Sequence, residues 1–345
     1  MPRNDKDVAV VLAGLGQVGK AFARLIAEKS GPVRSRYGLG LRLVGIVRKR
    51  GTLFSQEGLD GASLVSEAER PAGRPEAWLK DLPLSDLLGK CKPGVLVDCT
   101  PSSIRTGEPG LGIIREALSK GWHVATAGKG PLVLDYAGLK EAARRAGVDI
   151  RCSAATAAAL PTLDVGVISL AGAEVLKIEG ILNGTSNYIL TRMEEGLSYG
   201  QALGEAQAKG IAEPDPSLDV GGWDTACKLV IIANAVLGTA VGLKDVGVEG
   251  IDETSDQAVR AAAGQGRAVK LLGGCLKDEA GTGWKLRVGP AVLDPDHPLF
   301  GVRGTSKGIT FTTDTMGAVT VSGGKSDPRG AAAALLKDII QIYIL

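Results

Sequence analysis

The apolar positions of the chain group into short runs that alternate with segments of helical periodicity. Runs rich in β-branched and other apolar residues lie at 8–13, 41–47, 94–100 and 123–128. Strands that alternate with helices are typical of a parallel sheet, because parallel strands need crossover connections. The pattern therefore predicts a Rossmann-type, doubly wound α/β domain over residues 1–150.

The pattern changes after residue 150 to an α+β mixture, which predicts a second domain over 151–322. We expect strands near 174–182, 285–292 and 308–322, and helices near 186–195, 198–209, 219–237 and 255–264. The last segment, 323–345, ends in an amphipathic helix. Because its apolar face needs cover, we expect this helix to return to the first domain.

Composition narrows the class of partner. The 345 residues contain 40 Lys and Arg against 38 Asp and Glu, a net charge of +2, which does not favour nucleic acid or an anionic membrane. Five scattered cysteines do not form a disulfide framework, and the opening residues lack the apolar core of a signal peptide. The longest apolar run, 229–243, is short for a membrane span of about 20 residues. A cytoplasmic protein with a small-molecule partner is expected.

A glycine-rich turn follows the first strand. Gly14, Gly16 and Gly19 stand in the GxGxxG pattern between a strand and a helix, where glycines allow the turn, the approach of a diphosphate and close helix packing. The pattern also recurs by chance as plain turn chemistry, but this position favours a dinucleotide site. Thr100 and Lys129 follow later strands and are expected at the same edge of the sheet.

A basic cluster ends the second strand. Arg48, Lys49 and Arg50 stand where a doubly wound fold meets the adenine ribose, and cations there suit a 2′-phosphate. NADP is therefore the preferred cofactor and NAD the other candidate. The competing interpretation is a solvated basic loop.

One lysine stands in a strongly apolar helix. With Asp219 as the expected N-cap and the helix running to about Leu237, Asp224 and Lys228 share a face. One interpretation is a surface salt bridge; the other is a buried acid–base lysine beside a carboxylate. The nearby acids favour the second, because they suit a substrate ammonium. These acids are Glu213, Asp215, Asp219 and Asp224.

Several motifs together resemble the homoserine dehydrogenase family. They are NGTSNYIL (183–190), AEPDPSLDVGGWDTACKL (212–229) and AGKGPL (127–132), supported by DCTPSS, TGEPGL and DPDHPLFGVRG. The resemblance implies reversible, NAD(P)-dependent reduction of L-aspartate 4-semialdehyde to L-homoserine, in threonine and methionine biosynthesis. It also implies a homodimer formed through the second domain, in a short form of the family without a regulatory domain.

The resemblance assigns roles position by position. It implies Lys228, Lys129 and Asp224 as catalytic residues; either lysine could supply the proton, and we favour Lys228. The implied substrate-binding residues are Glu213, Asp219, Asp224, Lys129, Gly184 and Thr185. The implied cofactor-binding residues are Gly14, Gly16, Gln17, Val18, Gly19, Arg48, Lys49, Arg50, Thr100, Pro101, Ala127, Lys129 and Gly210.

One departure from the family pattern concerns a monovalent cation. Many relatives carry a glutamate where this chain has Ser153. Backbone carbonyls of Thr156, Ala158 and Leu160 could still coordinate sodium, but with one charge fewer no metal is assigned.

Two alternative functions stand beside this one. Cys99 could suit an acyl-enzyme semialdehyde dehydrogenase, although no histidine lies near it in the sequence to act as its base. A non-catalytic NADP sensor would have no evident need for Lys129, Glu213, Asp224 and Lys228 together.

Overall fold

A computed structural model describes residues 6–49, 51–68, 82–251, 256–278, 281, 283–324 and 326–345. The described residues form two compact units, one within Met1–Ala158 and Asp327–Leu345 and the other within Ala159–Ser326. The boundaries fall a few residues beyond 150 and 322, because the short helix at 153–157 packs on the C-terminal helix of the first unit. Within the described residues, no helix is long and apolar enough to cross a membrane.

The elements of the first unit are numbered in chain order, with the C-terminal helix last. They are β1 (Lys6–Ala13), α1 (Gln17–Tyr37), β2 (Leu39–Arg48), β3 (Gly51–Phe54), α2 (Gly61–Ala68), α3 (Leu84–Gly89), β4 (Val95–Asp98), α4 (Gly110–Ser119), β5 (His123–Thr126), α5 (Lys129–Ala146), β6 (Ile150–Arg151) and α6 (Ser153–Ala157).

The elements of the second unit follow. They are α7 (Thr162–Asp164), a π-helical turn (Val165–Ser169), β7 (Val175–Ile181), α8 (Gly184–Glu194), α9 (Tyr199–Ala208), α10 (Ser217–Val220), α11 (Trp223–Leu237), a 3₁₀ turn (Leu243–Asp245), β8 (Val246–Val248), α12 (Asp256–Gly264), β9 (Ala268–Lys277), β10 (Trp284–Leu293), β11 (Lys307–Thr313) and β12 (Ala318–Gly323). The chain then ends in α13 (Pro328–Ile344) of the first unit.

The first sheet has the strand order β3-β2-β1-β4-β5-β6. The strands β2, β1, β4, β5 and β6 pair in parallel, whereas β3 runs antiparallel to β2. The order reverses between β1 and β4, which is where open α/β sheets bind ligands. The predicted doubly wound fold is confirmed.

The core of the first unit joins α1 to α13. Phe22 and Ile26 of α1 are buried in one apolar cluster with Leu335 and Ile339 of α13. The C-terminal helix thus covers the outer face of α1, and Asp327 caps it by accepting a hydrogen bond from the Gly330 amide at 2.6 Å.

The second sheet has the order β12-β11-β7-β9-β10-β8 and is antiparallel except for the β8–β10 pair. The helix α11 packs on β9 and β10. This packing is close: a Cβ on Gly273 of β9 would stand 3.0 Å from the Thr225 methyl of α11. The apolar side of α11 is therefore buried against the sheet.

Two sequence expectations were wrong in this unit. The helix expected from Asp219 begins only at Trp223, because Gly222 adopts a left-handed φ of 80° and ends the preceding turn. The single strand expected over 308–322 is two strands, β11 and β12, separated by a turn with Gly317 at φ 70°. Two further strands, β8 and β9, were not expected from the sequence.

Candidate active site

The glycine turn after β1 has the geometry of a dinucleotide cradle. Gly14 has φ 90°, and a Cβ there would lie 2.5 Å from the carbonyl oxygen of Cys99. A Cβ on Gly19 would lie 2.1 Å from the Gly14 carbonyl oxygen, whereas nothing stands within 4 Å of a Cβ on Gly16. Gly14 and Gly19 thus bring the turn, β4 and α1 together. Gly16 leaves open space at the start of α1, where the helix N-terminus favours a diphosphate.

A buried carboxylate ties together the loops after β4 and β5. Asp98 accepts hydrogen bonds from the Thr100 hydroxyl at 2.6 Å and from the Thr126 hydroxyl at 2.8 Å. The Gly128 amide in turn donates to the Thr126 hydroxyl oxygen at 2.9 Å. Burial raises the pKa of Asp98, and the bonds from Thr100 and Thr126 oppose this. The sequence analysis had not singled out Asp98, although it ends a buried strand.

These bonds fix the loop that carries Lys129. The Gly130 amide donates to the Ser102 hydroxyl oxygen at 2.6 Å, and Lys129 is the first residue of α5, half-buried. The other predicted cofactor residues of this unit lie on the same turns. Gln17 and Val18 begin α1, Thr100 and Pro101 follow β4, and Ala127 follows β5. Residues at the carboxyl ends of β1, β4 and β5 thus meet at the ligand edge of the sheet.

The basic cluster lies at the β2–β3 hairpin. Arg48 is half-buried and pairs across the hairpin with Gly51, while Lys49 is exposed in the turn. Arg50, the third predicted cation, lies outside the described residues. The two described cations thus stand at the end of β2, where the adenosine ribose of a dinucleotide is expected.

Lys228 in the second unit is held by two acceptors. Its Nζ donates to the Leu182 carbonyl oxygen at 2.7 Å and lies 2.7 Å from Oδ2 of Asp224. The side chains of Lys228 and Asp224 are only 14% and 13% exposed. The pair therefore has the i,i+4 spacing of a surface salt bridge but lies in a mostly buried position.

An asparagine joins Asp224 to a second acid. The Nδ2 of Asn183 donates to Oδ1 of Asp219 at 2.6 Å and to Oδ2 of Asp224 at 2.8 Å. Its Oδ1 accepts from the Ser186 amide at 2.9 Å, which caps α8. Asn183 stands in the NGTSNY motif, but the sequence analysis assigned roles only to the two residues after it.

The electrostatics of this cluster include a lysine that sequence reasoning missed. Burial, and then the neighbouring Asp224, raise the pKa of Asp219. Lys307, the first residue of β11, is 3% exposed. Burial, and then the charge of Lys228, lower the pKa of Lys307 to about 8, and Asp224 opposes this. Two acids and two lysines thus share one part of the second unit.

The remaining predicted substrate residues take different positions. Gly184 begins α8, and the Thr185 hydroxyl donates to the Ile211 carbonyl oxygen at 3.1 Å. Glu213 and Asp215 are exposed on the loop before α10, where Asp215 accepts a bond from the Ser217 amide. Of the four acids in the sequence motif, the hydrogen bonds bring Asp219 and Asp224 together. Gly210, expected near the cofactor, follows α9 in the second unit with φ 68°.

The segment considered for a monovalent cation shows a different arrangement at Ser153. The Ser153 amide and hydroxyl donate to the carboxylate of Asp338 at 2.9 Å and 2.7 Å, and Asp338 is fully buried. Thr156 lies in α6 and donates to the Ser153 carbonyl oxygen, and Ala158 has a left-handed φ of 53°. Leu160 belongs to the second unit. Ser153 thus binds a carboxylate of α13 rather than supplying one.

Cys99 lacks the properties of a nucleophile. Burial, and then the adjacent Asp98, raise the pKa of its thiol, so the reactive thiolate is disfavoured. Its amide donates to the Ala13 carbonyl oxygen as β4 runs alongside β1. Cys99 therefore has a packing role beside the glycine turn.

Two family models match the chain. The homoserine dehydrogenase NAD-binding domain matches residues 14–153, and the homoserine dehydrogenase model matches residues 161–340. The curated homoserine dehydrogenase of Methanocaldococcus jannaschii is 38% identical over 97% of this chain and 98% of its own length. The NAD(+)-dependent homoserine dehydrogenase of Pseudomonas canavaninivorans is 35% identical over 97% of this chain and 96% of its own length.

The fold agrees with these matches. A hyperthermophilic archaeal homoserine dehydrogenase in complex with NADPH has a TM-score of 0.83 and is 26% identical, over 98% of both chains. The matches cover both units and include the glycine turn and the Asp224–Lys228 pair. The chain therefore belongs to the homoserine dehydrogenase family, whose members are NAD(P)-dependent oxidoreductases acting on a CH–OH group.

Proposed function

We propose that Lys228, Asp224, Asp219 and Asn183 form the substrate site for reversible conversion of L-homoserine to L-aspartate 4-semialdehyde. The observation that carries this proposal is the hydrogen-bonded cluster of two carboxylates and one ammonium in a mostly buried position. A bound NAD(P) supplies the hydride acceptor or donor. The protein residues bind and orient the amino acid and move the proton of its hydroxyl group.

Lys228 is suited to the proton transfer. An ammonium has three N–H donors; those of Lys228 meet Leu182 and Asp224, and a third is left for the substrate oxygen. During reduction of the aldehyde, negative charge develops on the carbonyl oxygen, and the Lys228 ammonium stabilises it and donates a proton. During oxidation the neutral amine accepts the hydroxyl proton. Lys129, the first residue of α5, is the other lysine that we propose for catalysis.

The two carboxylates are suited to the substrate's α-ammonium. Asp219 and Asp224 are held by one amide; burial, and then the repulsion of Asp224, raise the pKa of Asp219. A cation placed beside them relieves this repulsion and gains two charge-assisted hydrogen bonds. Gly184 and Thr185 begin α8 beside Asn183, where backbone amides are available for the substrate carboxylate. Glu213 extends the acidic surface on the preceding loop.

The glycine turn supports NAD(P) binding in the first unit, and we propose NADP as the preferred cofactor. Arg48 and Lys49 are the described cations at the end of β2, where a 2′-phosphate is expected. NAD could still support turnover, because tight binding and productive binding are separate properties.

We also propose a homodimer formed through the second sheet, in the cytoplasm. The face of β9 opposite α11 carries Leu272 and Leu276, and Leu276 is 53% exposed. Such an apolar sheet face suits pairing with a second copy. All five cysteines are free thiols, as expected in a reducing compartment.

The proposed function is tested by initial rates of reduction of NADP+ and NAD+ on adding L-homoserine. Turnover without added phosphate supports it. Binding of NADPH without turnover would favour the sensor, and phosphate-dependent oxidation of aspartate semialdehyde that requires Cys99 would favour the acyl-enzyme alternative.

A further inference from the structure

Lys307 is a buried cation that none of the assigned roles uses. It begins β11, where Gly308 pairs with Ile181 of β7 and Lys307 itself pairs with Gly323 of β12. The residue after Ile181 is Leu182, whose carbonyl oxygen accepts the hydrogen bond from Lys228. The sheet register thus brings Lys307 to the level of the Lys228 ammonium.

The side chain of Lys307 also shares a face of β11 with residues that pack towards α11. Side chains two apart on a strand lie on one face, so Lys307, Ile309 and Phe311 face the same way. A Cβ on Gly166 would meet both Phe311 and Val236 of α11, which places this face beside α11. Lys307 therefore lies on the face of β11 that is turned towards α11, the helix that carries Asp224 and Lys228.

The start of β11 is held in place by α8. The Nδ2 of Asn187, which is fully buried, donates to the carbonyl oxygens of Ser306 at 3.1 Å and Val302 at 3.3 Å. The residue before Lys307 is thereby anchored to the helix that Asn183 begins. The position of Lys307 relative to the acidic cluster is built into the fold.

Among the described residues, the charged groups that act on Lys307 are Lys228 and Asp224 of α11. On the neighbouring strands, Lys307 pairs with the uncharged Gly323 of β12, and its level on β7 is that of the uncharged Leu182, which follows Ile181. Asp224 in turn shares the Asn183 amide with Asp219 of α10. The pairing of Lys228 with Asp224 thus leaves Asp219 as a second acid, whose charge a second buried cation can balance.

We propose that Lys307 is a positioning residue of this site: its buried charge balances the two-carboxylate cluster and, through Lys228, sets the pH at which homoserine is oxidised. Lys307 is buried more deeply than Lys228: it is 3% exposed, whereas the side chain of Lys228 is 14% exposed, so Lys307 acts on Lys228 rather than on the substrate. The low pKa of Lys307, about 8, supports the same coupling. The inference rests on the proposed function.

The direction of the effect follows from Coulomb's law. A positive charge at Lys307 repels a proton arriving at Lys228, and Asp224 and Asp219 attract it. Removing the charge at 307 leaves the acids in excess, so Lys228 holds its proton to higher pH. Since oxidation needs the neutral amine, the rising limb of the rate profile moves to higher pH.

The experiment measures kcat/KM for L-homoserine in the wild-type protein, Lys307→Met and Lys307→Arg. The pH is varied from about 6 to about 10, a range chosen from the ordinary pKa values of lysine and its neighbours. With a pKa of about 8, Lys307 keeps its full charge only in the lower half of this range. Arginine keeps its charge throughout, so we expect the half-maximal pH to be highest in Lys307→Met, lowest in Lys307→Arg and about one unit apart between these two, with the wild type between them.

A matched control is Lys270→Met. Lys270 is the other fully buried lysine described in this unit, but it pairs with Glu194 at 3.2 Å, outside the acidic cluster. Its loss removes a buried cation and destabilises the fold without moving the half-maximal pH. If Lys307→Met does not fold, Lys307→Gln replaces it, with the same expected order of profiles.

The outcomes separate the two proposals. A wild-type protein that does not oxidise L-homoserine overturns the proposed function. A wild-type protein that does, with coincident or reversed profiles for Lys307→Met and Lys307→Arg, overturns only the role of Lys307 and leaves it a structural lysine.

Discussion

The Lys228–Asp224 pair allows stability and catalysis to be separated in one set of variants. Replacing Lys228 with Met removes the cation that lies 2.7 Å from the mostly buried Asp224 carboxylate, while the hydrogen bond from the Asn183 amide stays. Removing one partner of a buried ion pair costs about 3–5 kcal/mol in the free energy of unfolding. Because each side chain keeps some contact with water, we expect a loss near the lower limit, about 3 kcal/mol.

The double variant Lys228→Met/Asp224→Asn removes the uncompensated charge. We expect it to regain part of the lost stability, because neutral groups replace both members of the pair. Turnover should behave differently: loss of a general acid–base group lowers kcat by about 10²–10⁴-fold. The double variant should show no recovery of kcat, since neither remaining side chain can move the proton.

The assays are urea unfolding and initial rates with L-homoserine. Lys209→Met is the matched control, because Lys209 also pairs with an acid at i,i+4 spacing, Glu205, but on an exposed surface. It should leave both stability and kcat nearly unchanged. Lys228 is not the acid–base group if Lys228→Met keeps turnover within about tenfold of the wild type, or if the double variant recovers activity along with stability.

Four further results are expected. The variant Gly14→Ala should destabilise the first unit and abolish NADPH binding, because its Cβ would lie 2.5 Å from a carbonyl oxygen. The variant Gly16→Ala should have the same urea unfolding midpoint as the wild type and yet bind NADPH more weakly. Arg48→Ala should weaken NADPH binding more than NADH binding in fluorescence titrations; equal losses would contradict the 2′-phosphate assignment. Cys99→Ser should keep kcat within about twofold, since the raised pKa keeps the thiol protonated. Because the pKa of Asp219 is raised, its carboxylate is charged at high pH and loses this charge as the pH falls through the raised pKa. The KM for L-homoserine should therefore rise as the pH falls in the wild type, and Asp219→Asn should not show this rise.

Local patterns were sufficient to predict the first unit and one pair in the second. The strand–glycine–helix pattern identified the turn at Gly14, and the i,i+4 spacing placed Asp224 and Lys228 on one face, as the 2.7 Å contact confirms. Both predictions concern residues only a few positions apart in the sequence. The relative placement of such residues follows from the periodicity of a single helix or strand.

Contacts between distant segments were not predictable in the same way. Asn183 lies 41 residues before Asp224, and Lys307 reaches the cluster only through the pairing of β11 with β7. A lysine before a strand gives no sign of burial unless the register is known. The break at Gly221 and Gly222 did have a signal, because a Gly-Gly pair often interrupts a helix.

The claim that Asp219 and Asp224 grip the substrate's ammonium is tested most directly by an analogue that lacks it. The measurement is kcat/KM with NADP+ for L-homoserine and for 4-hydroxybutanoate, which keeps the reacting hydroxyl and the carboxylate. We expect a preference of about 10²-fold or more for L-homoserine, because only the compound with the ammonium adds a charge-assisted hydrogen bond to the two carboxylates. Equal values for the two compounds would contradict it.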